Sequence, residues 1–281
     1  MDKENIPLLD CPMDYLMGEA SGKLLNEYGR FPCKLQCGTY AFMLTGRARA
    51  TINISQYDFS AHDLVYIEPG SFFLIHEFSE DAKVCYIIFS SSFLEKNTYG
   101  LRRTSSPLQG RTPVVHITDE QAQIVEHFSA LMTEAINCTP SMLNSERMAD
   151  VFSLIQHTYF DYFVSGNNTA DAKPVDRKTE IYRQYSDLVL QHYREWHHVS
   201  EYAHEMRITM PHLCSTIKSV SNRTAGDMIT DAILMDAKSQ LKITTLPIKE
   251  IALGLGFTNV AFFNRFFKSH TGCTPKVYRS N

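Results

Sequence analysis

Asn264, Arg265 and Lys268 lie within five residues of one another near the C-terminus, just after the small apolar pair Val260 and Ala261. Asn pairs bidentately with adenine, Arg with guanine, and a small apolar side chain meets the thymine methyl, so this set is suited to reading base edges in the major groove. A second group, His212, Ser215 and Lys218, has weaker base-reading chemistry. His212 and Lys218 are expected to supply mainly phosphate or packing contacts. No comparable set points to catalysis. His62 and His76 stand alone with no H-x-H pair, and a catalytic metal needs at least three well-placed ligands. The seven cysteines (11, 33, 37, 85, 138, 214 and 273) form no CxxC and no zinc spacing. Cys33 and Cys37, four apart, are expected to be free thiols in a reducing compartment rather than a redox pair.

Base readers must be held by a pair of helices. In IKEIALGLG, Ile248, Ile251, Ala252 and Leu255 fall on one face of a short helix opened by Pro247. Gly256 stops it where a positive φ is required, Phe257 fills the corner, and Thr258 or Asn259 caps the next helix. That helix buries Phe263 and Phe267, ends at Gly272, and turns Val260, Ala261, Asn264, Arg265 and Lys268 outward or to the flank. Spacing alone equally fits an ordinary two-helix corner with a solvated Arg and Lys.

The string IKEIALGLGF, followed by F-x-x-FFK and TG-x-TP-x-x-YR, resembles the C-terminal signature of the AraC-type (AraC/XylS) transcription regulators over about thirty residues. The resemblance implies two helix-turn-helix units joined by a long helix, and so predicts an earlier unit. Leu213, Ile217, Lys218, Asn222 and Thr224 recur at an offset of 50 as Phe263, Phe267, Lys268, Gly272 and Thr274. Upstream, Val199, Ala203 and Met206 give this unit's first helix with Ser200 as its cap. Ile208 stands in the corner and Thr209 caps the reader. The unit departs from the pattern at Arg207 in the turn, at Asn222 in place of Gly272, and at Pro211 in the reader's first turn. Thr224 and Asp227 form a capping box, and Met228, Ile233, Ala237 and Leu241 give the connecting helix its buried stripe. An opening helix, Thr179 to Trp196, turns Ile181, Tyr185, Leu188 and Val189 inward.

The chain has 281 residues, 44% of them hydrophobic, enough for two cores. Its net charge of −4 is uneven: residues from 174 onward carry 14 Lys+Arg against 10 Asp+Glu, and the first 173 carry 13 against 21. A basic C-terminal part beside an acidic partner fits DNA contact in one half, provided Asp227, Asp231 and Asp236 face away from phosphate. No run of eighteen apolar residues and no leader pattern is present, so a cytoplasmic location is expected and no membrane contact.

Residues 1 to about 30 read as an arm or irregular lead-in. From Lys34 to Phe93, TYAFMLTG, RARATINI, QYDFSAHD, LVYIEPG, SFFLIHEF and KVCYIIFS read as short strands of a small barrel or sandwich. Residues 97 to 116 read as a connecting loop. Two helices follow, one with Ile124, Phe128, Leu131 and Ala135 at helical spacing, the other with Met148, Val151, Phe152, Ile155, Tyr159 and Phe163. The resemblance implies that the strand-rich part is a cupin-like barrel binding a small effector, and that these helices pair two subunits, with burial on the chain's own barrel as the rival role. Tyr40, Arg47, Arg49, Tyr66 and His76 are the candidate polar groups of an effector cavity, although for Arg47 and Arg49 a solvated strand face is the favoured reading.

The expected fold is therefore α+β. It comprises an N-terminal cupin-like barrel with two helices (1–164), a linker (165–176), and an all-α domain with two helix-turn-helix units joined by a long helix (177–281). The expected function is sequence-specific binding of double-stranded promoter DNA by a non-enzymatic homodimer. It would be controlled by a small-molecule effector, need no cofactor or metal, and have RNA polymerase as a further candidate partner. Two alternatives stand beside it: a cupin-type metal enzyme with a helical appendix, or a DNA-binding regulator whose barrel only dimerises or docks a protein.

Overall fold

The computed structural model describes residues 9–28, 31–97, 113–138, 144–167 and 176–280. Its strand-rich half contains β1 (Tyr15–Ser21), α1 (Gly22–Tyr28), β2 (Cys33–Lys34), β3 (Gly38–Thr45), β4 (Arg47–Ile52), β5 (Ser55–Ser60), β6 (Asp63–Ile67), β7 (Phe72–Phe78), β8 (Lys83–Phe89), α2 (Ser91–Asn97) and β9 (Val114–His116). Helices α3 (Asp119–Cys138) and α4 (Ser145–Asn167) follow. The remainder is helical: α5 (Arg177–His192), α6 (Val199–Glu205), α7 (Met210–Ser221), α8 (Ala225–Ile243), α9 (Ile248–Gly254), α10 (Val260–Thr271) and α11 (Pro275–Ser280).

The strands form two antiparallel sheets, ordered β1-β8-β3-β6-β9 and β2-β7-β4-β5. Alternation assigns their faces. Met43, Val65, Ile67 and Val84 from the first sheet meet Ala48, Ala50, Ile52 and Phe59 from the second in one core. Tyr40, Phe42, Leu64, Cys85, Ile87 and Phe89, on the first sheet's other face, pack beneath α2, α3 and α4. All six strands read from the sequence are present as β3 to β8.

Three expectations need correction. Residues 15–28 are not an irregular arm: β1 pairs with β8 along its whole length, from Tyr15↔Phe89 to Ser21↔Lys83. Gly18 stands opposite Tyr86 in this pairing, and a Cβ there would lie 3.1 Å from the Tyr86 hydroxyl. The stretch read as a loop contains β9, paired with β6, although 98–112 lie outside the described residues. On α3, Phe128 and Ala135 pack toward the sheet but Ile124 and Leu131 do not: they are 60% and 64% exposed, and Ala122 and Met132 take the buried positions. On α4, Met148, Phe152 and Tyr159 are buried as expected, and the side chain of Phe163 lies outside the described residues. The linker read at 165–176 also falls mostly outside them.

In the helical half α5, α7, α9 and α11 pack on α8. Its Met228, Ile233, Ala237 and Leu241 are buried as the stripe required, and so are Ile229, Ala232, Leu234 and Met235, so the helix is enclosed nearly all round. Burial on every side demands that its one buried acid be paired. Asp236 accepts from the Tyr193 hydroxyl at 2.7 Å, from Arg194 Nη2 at 2.5 Å and from Gln240 Nε2 at 2.9 Å. Of the other two carboxylates required to avoid phosphate, Asp231 is ion-paired with Arg223. Asp227 closes the expected capping box with Thr224, whose hydroxyl accepts from the Asp227 amide at 3.1 Å. The Asp227 carboxylate in turn accepts from the Thr224 amide at 3.1 Å, and its hydrogen bonding to Thr224 holds it below its ordinary range.

The two halves touch. Phe72 of β7 and Ile54 of the β4–β5 turn enter the helical core. Arg223 Nη1 donates to the Ile54 carbonyl at 2.7 Å, and the Ser55 and Tyr182 hydroxyls lie 3.3 Å apart. Lys34 sits 5.0 Å from the centre of the Phe72 ring, and burial there pushes its ammonium below the usual lysine range, with Asp236 opposing the shift.

The turns between paired helices repeat as well. The Ile208 amide donates to the Ala203 carbonyl, and the Phe257 amide to the Ala252 carbonyl, each at 3.0 Å. Both turns pass through the left-handed region, at Arg207 (φ 54) and Gly256 (φ 83), and both reader helices end there, at Asn222 (φ 55) and Gly272 (φ 80). Arg207 and Asn222 are two of the three departures the sequence raised, and both adopt a conformation that glycine adopts more easily.

Two stability predictions follow from this geometry. Gly272→Ala meets no atom within 4 Å and should cost only its backbone strain, about 1–2 kcal/mol, whereas a Cβ at Gly256 would lie 2.0 Å from the Arg194 carbonyl oxygen. Urea titration should therefore rank Gly256→Ala as the clearly less stable variant. Asp236→Ala strands Arg194 and the Tyr193 hydroxyl in the core, and a loss of roughly 3–5 kcal/mol is expected in the same assay.

Candidate nucleic-acid interface

Each reader helix has twelve residues and one firmly buried edge. Leu213, Thr216 and Ile217 face the core from α7, and Phe263 and Phe267 face it from α10. Thr209 caps α7, accepting from the His212 amide at 3.4 Å. Pro211 occupies its first turn, where a missing N–H costs nothing. Asn259 rather than Thr258 caps α10, accepting from the Ala261 amide at 2.7 Å. On α6 the N-cap is His198, not Ser200: its amide donates to Glu201 at 2.9 Å, the side chain that sequence spacing from Ser200 overlooked.

The candidate readers reach the surface unequally. His212, Ser215 and Lys218 are exposed on α7, and Ala261, Arg265 and Lys268 are exposed on α10. Val260 and Asn264 are half-buried, and Val260 packs against the helical core. Lys218 Nζ donates to the Asn222 carbonyl at 2.9 Å, so it closes the end of its own helix.

Sequence reasoning missed Phe262. Its spacing suggests core, yet the ring is 54% exposed beside Ala261 and Arg265, and the Arg265 guanidinium lies over it, 4.8 Å from the centroid. Such a contact restrains an otherwise mobile side chain and leaves its planar donor fork available. The signal was in the wheel: with Phe263 and Phe267 inward, position 262 must lie about 100° away. Ser269 is exposed on the same side.

The five candidate effector residues are not brought together. Tyr40 and Tyr66 stack with ring centroids 4.4 Å apart, on the helix side of the first sheet and next to Tyr159, not between the two sheets. Arg47 and Arg49 lie exposed on the outside of β4, and Arg49 pairs with Asp58 at 2.6 Å and Glu77 at 3.5 Å on the flanking strands. His76 bonds the Thr51 hydroxyl at 2.7 Å on that same outer surface. Alternation correctly grouped Arg47 with Arg49, but parity alone does not say which face is outside. Among the described residues, no three His, Cys, Asp or Glu side chains are grouped to hold a metal, and no helix is long and apolar enough to cross a membrane.

Comparison with known proteins places the same segment. Residues 202–281 match the family described as a helix-turn-helix domain. The chain is 23% identical over 241 residues to the uncharacterised helix-turn-helix-type transcriptional regulator YdiP of Escherichia coli, spanning 85% of this chain and 77% of that one. It is 36% identical over 62 residues to the regulatory protein SoxS of E. coli, a match spanning 22% of this chain and 58% of SoxS. Among solved structures, Vibrio cholerae ToxT bound to (E)-4-(8-methylnaphthalen-1-yl)but-3-enoic acid aligns over 95% of this chain and 98% of its own, with 16% identity and a TM-score of 0.43. The signature at Pro247–Arg279, the repeat at an offset of 50 and the matched domain fall on the same two helix pairs. Residues 202–281 are therefore a helix-turn-helix domain of the AraC type.

Proposed function

We propose that the chain is a sequence-specific DNA-binding transcription regulator that recognises promoter DNA with α7 and α10 and is controlled by a small molecule bound in its N-terminal half. The observation that carries this reading is the pair of capped twelve-residue helices, each exposed on one side and rooted in a single core around α8. At 1.5 Å per residue the nineteen residues of α8 span about 28 Å, close to the ~34 Å between successive major-groove faces. Arg265, held by Phe262, acts as the principal base reader, with Ala261 and Asn264 beside it, while His212, Ser215 and Lys268 make phosphate or supporting contacts. Lys218 serves first as a helix cap.

The working form is a cytoplasmic homodimer, non-enzymatic, with RNA polymerase as the partner through which bound protein alters transcription. Support for dimerisation comes from α3 and α4, where Ile124, Leu131 and Leu154 are large, apolar and exposed. Control by a population shift is supported by the contacts joining the halves. Arg223, just beyond the end of α7, donates to the β4–β5 turn, so a change in the sheets reaches a reader helix directly.

Arg265→Ala should cost about 1–3 kcal/mol in DNA affinity and relax preference at one base pair, measured by fluorescence anisotropy on operator variants. Phe262→Leu should relax the same base pair by a smaller amount. An equal loss on every sequence would move Arg265 to the phosphate class. Leu131→Glu should shift sedimentation from dimer to monomer, weakening association by on the order of 2 kcal/mol with the circular dichroism spectrum unchanged, because Leu131 is exposed within the protomer.

A further inference from the structure

The first sheet's helix-facing surface is covered unevenly. At one end the cover is closed: Phe89, Phe93 and Phe152 interlock with ring centroids 4.9 to 5.9 Å apart, and Met148 is fully buried. At the other end α3 and α4 stand off the sheet. Of the twenty residues of α3 only Ala122 and Met132 are buried, and between the helices and the sheet lies a cavity of about 240 Å³. Phe42, Cys85 and Ile87 form its floor, Val125 and Phe128 one wall, and Ile155 the other.

The lining fixes what chemistry this space accepts. No charged side chain reaches it. Two of its hydroxyls already donate within the protein, Tyr159 to the Pro113 carbonyl and Ser129 to the Glu126 carbonyl, each at 3.0 Å. Burial pushes the Cys85 thiol up to about 11, so it stays protonated and behaves as a small apolar group. A water molecule needs two to four polar partners, and such a wall offers few, whereas a dry apolar cavity of ~150 Å³ already holds a molecule the size of benzene.

The geometry points to this cavity, between the sheet and α3/α4 rather than between the two sheets, as the binding site for a neutral, largely hydrocarbon ligand of roughly ten non-hydrogen atoms, aromatic or branched aliphatic. It rests on the reading of the N-terminal half as a sensor and supplies that sensor with a position and a ligand class. It also supplies a route outward. Ile124 and Leu154 line the cavity and are exposed on the helices assigned to dimerisation, so a ligand that props α3 and α4 away from or against the sheet alters the face offered to a second subunit.

The test uses the full chain and propylbenzene as the probe, with the para-propylbenzoate anion as the charged control. Calorimetry should give a Kd on the order of 100 μM for propylbenzene. It should also give at least roughly tenfold weaker binding of the anion, because no cation lines the wall. Two filling variants, Cys85→Leu from the floor and Val125→Phe from the wall, should each weaken propylbenzene binding roughly tenfold, and the variant that keeps a cooperative thermal transition decides. Absence of propylbenzene binding, equal binding of the anion, or unchanged binding in a folded filling variant overturns the proposal. The same preparation is tested for DNA binding without ligand. DNA binding with no probe binding removes the cavity and leaves the regulator reading intact, whereas failure to bind any selected DNA counts against the regulator itself.

Discussion

Two helices of twelve residues cannot hold a fixed aim by themselves, since an isolated helix of that length is marginal in water. Everything proposed for α7 and α10 depends on their burial against a common support. Leu213 and Ile217 from one, and Phe263 and Phe267 from the other, enter the core organised around α8 and are fully buried. That support is itself pinned from just beyond the end of α5, where Tyr193 and Arg194 both donate to the buried Asp236. From the same segment, the Arg194 carbonyl crowds Gly256 and His197 lies 3.0 Å from the Leu255 carbonyl, so the pin and the second turn share a strut. A repeat in sequence thus becomes two capped helices rooted in one core.

The N-terminal half adds a second constraint, because its two sheets do not float free of the readers. Phe72 packs against Tyr193, with ring centroids 6.2 Å apart, so the pin that orders α8 is touched by the sheet. Arg223 reaches from just past α7 to the Ile54 carbonyl and to Asp231 of α8. Any reorganisation of the β4–β5 turn therefore changes the surroundings of the first reader unit before it changes those of the second. This asymmetry accords with the proposed division of labour, in which α7 carries the poorer base-reading chemistry and its placement can be adjusted at less cost to sequence discrimination than that of α10.

Most of the fold was legible because its signals were periodic. Six strands announced themselves by alternation and turn residues, and the helix pairs by spacing, caps and the offset of 50. What escaped had no period to detect. β1 is broken by Gly18 and Glu19 and is held by its partner β8, β9 has three residues inside a polar stretch, and Ile124 and Leu131 look like core unless one knows which side the sheet lies on. The candidate site was legible in the same uneven way. The exposure of Ala261, Arg265 and Lys268 followed from the helix wheel, but that of Phe262 was hidden by the habit of assigning aromatics to the interior, and the surroundings of Tyr40 and Tyr66 by not knowing which face of β3 and β6 is covered by helices.

The central claim is that one rigid body presents two groove-reading helices at a set separation. Selection of bound duplexes from a random-sequence DNA pool by the purified protein tests it most directly. Two short sequence boxes, their centres about one helical turn or roughly 10.5 base pairs apart, with the sharper preference in the box read by α10, are the expected result. A single isolated box, two boxes with no fixed spacing, or a pool left unenriched would contradict it.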